Sequence, residues 1–181
     1  MNTTEEYNAV IDLCKNLFVN KTRDYGTSWR IMRLSSITDQ LYIKAKRIRT
    51  LEIKQVSKVG DDIAGEFVAI INYCVIALLQ LELGEEGEDN LDATFAEQKY
   101  TEKVNETRDL MFAKNHDYGE AWRDMRVSSM TDMILMKLHR VKQIENNDGT
   151  TIVSEGLKGN YQDMLNYAAF ALIKMGFADK K

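Results

Sequence analysis

The chain has 181 residues, 44% of them hydrophobic and 29% charged, with a formal net charge of −4. That balance fits one globular domain, or two small ones sharing a core, and lacks the basic excess of a general nucleic-acid binder. There is no proline, so nothing forbids long uninterrupted helices.

The N-terminus, MNTTEEYNAV, does not carry the basic-then-apolar order of a signal peptide. Thr3 with Glu6 has the spacing of a capping box, and Tyr7, Val10, Ile11, Cys14, Leu17 and Phe18 follow at helical intervals. This first helix is expected to end before Asp24-Tyr25-Gly26, where glycine supplies a backbone conformation that other residues resist. A second helix is expected after Ser35-Ser36, with Ile37, Leu41, Ala45 and Ile48 on its buried face. A third starts near Asp61 and is apolar almost all round (FVAIINYCVIALL), as a central buried helix is. Its uncharged run, 67–81, is too short for a bilayer. Cys14 and Cys74 show no CxxC spacing and read as buried thiols of a reducing compartment, so a cytoplasmic protein is expected. The acidic, glycine-containing GEEGEDNLDA (84–93) reads as a solvated linker.

After that linker the pattern restarts. KTRDYGTSWRIMRLSSITD (21–39) returns as KNHDYGEAWRDMRVSSMTD (114–132). At the same offset Lys44 meets Lys137, Arg47 meets Arg140 and Glu52 meets Glu145. One residue further on, Gly65 meets Gly159, Asn72 meets Asn166 and Tyr73 meets Tyr167. Met130, Ile134, Leu138 and Val141 repeat the stripe of the second helix, and the last helix is expected from near Ser154. Two copies are too few for a solenoid. The prediction is an all-α bundle of two tandem three-helix repeats, 1–90 and 91–181, sharing one core about a pseudo-two-fold.

Several kept residues could carry chemistry. Asp39 and Asp132 each follow a serine by three positions and read as capping-box acids. Lys44 and Lys137 fall within the buried stripe, with Arg47 and Arg140 one turn on. They either pair with Asp24 and Asp117 of the nearby turns or bind an anion, and the residues alone leave both open. Gly65, Ala69 and Asn72 share a face, as do Gly159, Asp163 and Asn166; small residues at that spacing predict the third helices crossing at Gly65 and Gly159. Trp29 and Trp122, beside Tyr25 and Tyr118, either plug the core or stack on a base.

These motifs (Lys-x-x-Asp-Tyr-Gly-x-x-Trp, Ser-x-Thr-Asp, Lys-x-x-Arg, then EFVAIINYCVIALLQLELG and GNYQDMLNYAAFALI) resemble the nucleotide modification associated domain 1 family, in two tandem copies. That family in turn resembles, more distantly, the MazG-like all-α nucleoside triphosphate pyrophosphohydrolases, whose paired acidic motifs hold magnesium. The resemblance implies a nucleotide or other phosphate-bearing small molecule as partner, with Lys44, Arg47, Lys137 and Arg140 on its phosphates. No membrane is implied, and a homodimer is compatible with it. Where the MazG-like second helix presents carboxylates, this chain presents those basic residues. A Mg2+ ion would therefore fall to Glu155 and Asp163, with Glu66 or Asp62 from the other half, and Asn72 and Asn166 would orient them; the alternative is that Asp163 answers a buried Asn or Lys. A non-catalytic structural or protein-interaction module is the competing reading.

Overall fold

A computed structural model of the chain describes residues 1–54 and 60–179, with side chains in the second stretch from residue 63 onward. Among the described residues the secondary structure is helical throughout: α1 (Thr3–Tyr25), α2 (Leu34–Lys54), α3 (Gly60–Leu83), α4 (Ala93–Tyr118), α5 (Val127–Asn146) and α6 (Leu157–Lys174). Short 3-10 turns at Ser28–Ile31 and Ala121–Asp124 follow the two Asp-Tyr-Gly sequences, and a third lies at Phe177–Asp179. α3 and α6 form the most extensive contact, α2 and α5 pack beside them, and α1 and α4 lie across the pair.

The core is continuous between the halves. Phe67, Ile70, Ile71, Cys74, Val75 and Leu79 of α3 are buried against Leu165, Ala168, Ala169 and Leu172 of α6. α3 is long and apolar enough to cross a membrane by length and composition, which the uncharged run alone did not suggest, but most of it is buried in this core.

Helix ends depart from expectation in informative ways. The capping box of α1 is Asn2 with Glu5, one residue before Thr3 and Glu6. Glu6 is taken by Arg123 of the second half, at 2.5 Å. Asp39 and Asp132 do not cap. α2 and α5 start at Leu34 and Val127, so both acids lie inside their helices. Asp39 faces Lys142 at 3.7 Å and Asp132 faces Arg49 at 3.8 Å. The linker is exposed, as expected, but tied down: Arg30 donates to the carbonyls of Gly84 and Glu88, and the Thr27 hydroxyl donates to the Asp89 carbonyl.

The halves are joined by matched pairs of buried hydrogen bonds. Tyr7 Oη donates to Asn166 Oδ1 and Tyr100 Oη donates to Asn72 Oδ1, each at 2.8 Å. Asn72 Nδ2 returns to the Cys14 carbonyl and Asn166 Nδ2 to that of Thr107. Thr38 Oγ1 meets Glu145 Oε1 at 2.7 Å, and Thr131 Oγ1 meets Glu52 Oε1 at 2.6 Å. Each pair repeats its partner with the halves exchanged, which is the mark of a pseudo-two-fold.

The expected crossing at Gly65 and Gly159 is absent. A methyl group built on Gly65 would meet nothing within 4 Å, and the nearest atoms to one on Gly159 belong to Glu155, in its own half. The bulky residues of α3 and α6 make the contact instead, and the small-residue faces turn toward two cavities.

Tyr7→Phe leaves the buried Asn166 Oδ1 without its donor. The expected loss is about 1–3 kcal/mol of unfolding free energy in urea titration, whereas Tyr118→Phe, 77% exposed, should cost under about 0.5 kcal/mol.

Candidate functional site

Each Asp-Tyr-Gly sequence ends a long helix and turns the chain through a glycine of positive φ, 69° at Gly26 and 62° at Gly119. A side chain at Gly26 would collide with the Asn90 amide oxygen as well. The turn throws the following tryptophan back under the helix, and a cavity opens there in each half.

The first cavity, about 290 Å³, is walled by Lys21, Tyr25, Trp29, Met32, Asn72 and Tyr73, over a floor containing Gly65 and Ala69. The second, about 530 Å³, is walled by the counterparts Lys114, Tyr118, Trp122, Met125, Asn166 and Tyr167, with Lys137, Glu155 and Asp163 added. Both tryptophans are at least nine-tenths buried, and in both the indole Nε1 has no hydrogen-bond acceptor. A repeated buried donor without an acceptor is uncommon in a settled core and marks a place for a ligand or water.

The charges divide unequally. Asp163, 6% exposed, accepts from Lys114 Nζ at 2.6 Å and from Lys137 Nζ at 2.7 Å, one lysine to each carboxylate oxygen. Glu155 stands 3.8 Å from the same Lys137. Burial by itself would raise the Asp163 carboxyl, but the hydrogen bonds and charges of the two lysines outweigh it and hold it below the usual range. In the first half the corresponding residue is Ala69. There Glu66 receives Arg47 Nη1 at 2.6 Å and Lys44 Nζ at 3.6 Å. Lys137, buried, and Lys44, only half-buried, thus pair with acids of the third helices, not with Asp24 and Asp117, which are exposed outside the cavities. Arg140 is exposed and lines a separate opening beside the 150–155 segment.

The carboxylates expected to hold a metal are not gathered for it. Glu155 and Asp163 share Lys137, Glu66 serves the first-half pair, and the Asp62 side chain lies outside the described residues. Among the described residues no three His, Cys, Asp or Glu side chains come together as a metal set. A divalent ion at Asp163 would face two ammonium groups, so these residues do not fit one.

Lys21 and Lys114 had no assigned role in the sequence reading. Their signal was the motif itself, a lysine kept one turn before Asp-Tyr-Gly in both copies. The tryptophans, read as either core or stacking residues, are both buried and cavity-lining.

A family model described as nucleotide modification associated domain 1 matches residues 21–81 and again 114–175. No curated protein and no solved structure matches the chain.

A carboxyl with a depressed folded pKa adds stability that is fully present above its unfolded pKa, about 3.9, and is lost as pH falls through the folded value. Asp163→Asn strands the buried Lys137 and should cost about 3 kcal/mol near neutral pH. The gap in melting temperature between wild type and this variant should close as pH falls below about 4. A gap independent of pH would remove the charge from the account.

Proposed function

Because the chain belongs to the nucleotide modification associated domain 1 family, with its motif present in two copies, we propose that it binds a phosphate-bearing nucleotide under the Asp-Tyr-Gly turn. The observation that carries this reading is the repeated cavity: a lysine at its wall, an aromatic surround, and a buried indole N–H awaiting an acceptor. Convergent polar groups in a mostly apolar concavity are the general form of a small-molecule site. The first cavity stands at the lower end of the roughly 300–1,000 Å³ usual for such sites.

In this proposal the ammonium of Lys21 or Lys114 meets phosphate, and Trp29 or Trp122, with the neighbouring tyrosines, meets the base. Lys44 and Arg47 would have to leave Glu66, and Lys114 and Lys137 would have to leave Asp163, to serve a phosphate. No hydrolytic step is assigned. Phosphoryl chemistry needs its developing charge neutralised, and the one deeply buried acid in the second cavity is already neutralised by lysines.

A melting-temperature screen of nucleoside mono-, di- and triphosphates, with and without magnesium, tests the reading. A ligand at 100 times its dissociation constant adds about 2.7 kcal/mol to the native state, worth several degrees. No shift with any nucleotide overturns the proposal. Pyrophosphate release from a triphosphate, abolished by Asp163→Asn, would replace it with the hydrolytic reading.

A further inference from the structure

The two cavities share a backbone plan and differ at a few side chains. Two of those differences bear on charge and stacking in the second cavity, which is the larger by volume, about 530 Å³ against 290 Å³. Where α6 carries Asp163, α3 carries Ala69; where α6 carries Phe170, α3 carries Ile76. We infer that only the first-half cavity receives the ligand's anion, and that the second is its filled copy, in which Asp163 stands for the anion and Phe170 with Arg123 stands for a stacked base. This inference rests on the nucleotide-binding reading and narrows it to one site per chain.

The geometry of the filled copy supports the assignment. One carboxylate oxygen to each of two ammonium groups, at 2.6 and 2.7 Å, is the arrangement that two lysines adopt around an anion with more than one oxygen. Any incoming phosphate would have to displace a buried carboxylate and would meet Glu155 beside it. The Trp122 ring is already stacked on Phe170, with centroids 4.3 Å apart and planes 5° from parallel, and Arg123 lies over it at 4.4 Å. Its counterpart Trp29 meets Phe18 only at a tilt, with centroids 6.3 Å apart.

The first cavity lacks these substitutes. Its described lining holds one lysine and no acid. Lys21 makes no ion pair or hydrogen bond among the described residues. Lys44, the counterpart of Lys137, lies outside this lining, 3.6 Å from one oxygen of Glu66 while Arg47 holds the other at 2.6 Å. Gly65 and Ala69 leave floor space where the other half places a carboxylate, and the Trp29 ring forms part of the wall. The ligand class is therefore an anion joined to a flat ring that can lie on Trp29, as in a nucleoside phosphate.

The protein has two tryptophans, one per cavity, so the two indole N–H resonances of 15N-labelled full-length protein report the sites separately. The spectrum of Trp122→Phe assigns them. The probes are inorganic pyrophosphate and the common deoxynucleoside triphosphates. The expected result is a saturable shift of the Trp29 resonance with Trp122 nearly still. Ala69→Asp, which copies the filled site, should weaken binding at least about tenfold, while the uncharged isostere Ala69→Asn stays within about threefold of wild type. Asp163→Ala should make the Trp122 resonance titrate as well; if that variant does not fold, the Ala69 pair decides. Equal or preferential movement of Trp122 in wild type, or wild-type affinity in Ala69→Asp, overturns the inference while leaving nucleotide binding intact. If neither resonance moves with any probe, the binding reading itself fails, and the inference with it.

Discussion

Each half of this protein buries a tyrosine hydroxyl that only the other half can answer. Tyr7 and Tyr100 are fully buried, and their acceptors are the amide oxygens of Asn166 and Asn72 across the pseudo-two-fold. An unanswered buried donor costs about 1–3 kcal/mol, so separating the halves would strand both hydroxyls and both amides together. The Thr38–Glu145 and Thr131–Glu52 bonds repeat the same logic between α2 and α5. The constraint reaches the cavities directly, because Asn72 and Asn166 are also part of their walls. Two of the residues that hold the halves together thus also line the cavities.

The repeated stretch accordingly does two jobs at different positions. Its buried Thr38 and Thr131 reach across the two-fold to Glu145 and Glu52, and its exposed Asp39 and Asp132 face Lys142 and Arg49. Its lysines, tyrosines and tryptophans, with the glycine that makes the turn, surround the cavities. Its first arginines are anchors: Arg30 draws the linker onto the first turn, and Arg123 bridges Glu120 and Glu6. Within this stretch joints and cavity walls occupy different residues, so its joints can stay matched while the cavities diverge. Side-chain differences at 69/163 and 76/170 change the charge and stacking of a cavity while the inter-half hydrogen bonds stay matched.

The six helices and the pseudo-two-fold were legible because periodicity and repetition are local or constant-offset signals. The buried stripes Ile37, Leu41, Ala45, Ile48 and Met130, Ile134, Leu138, Val141 are buried as read. What escaped was every contact whose partner lies across the two-fold. Asp39 looked like a cap because Ser36 stands three residues before it; its partner Lys142 is far away in sequence. Gly65 looked like a helix crossing because small residues serve close packing and ligand floors alike. Lys44 and Lys137 were rightly placed beside something charged, but the turn acids were the wrong partners, since the third helices supply Glu66 and Asp163 at closer range. The idea that Asp163 answers a buried lysine describes its geometry better than a metal-ligand role does. Lys21 carries no signal beyond its place in the repeated motif, because a lysine with no ion pair among the described residues leaves no mark in a single sequence.

The account stands on the claim that one cavity is open to an anion and the other is closed by the protein's own carboxylate. A crystal structure grown with the nucleotide that most raises the melting temperature tests this most directly. The account predicts density for one ligand per chain, its phosphate at Lys21 over Gly65 and Ala69 and its base against Trp29, with Asp163 still bound to Lys114 and Lys137. A ligand lodged at Trp122 with Asp163 swung away from its lysines would contradict it.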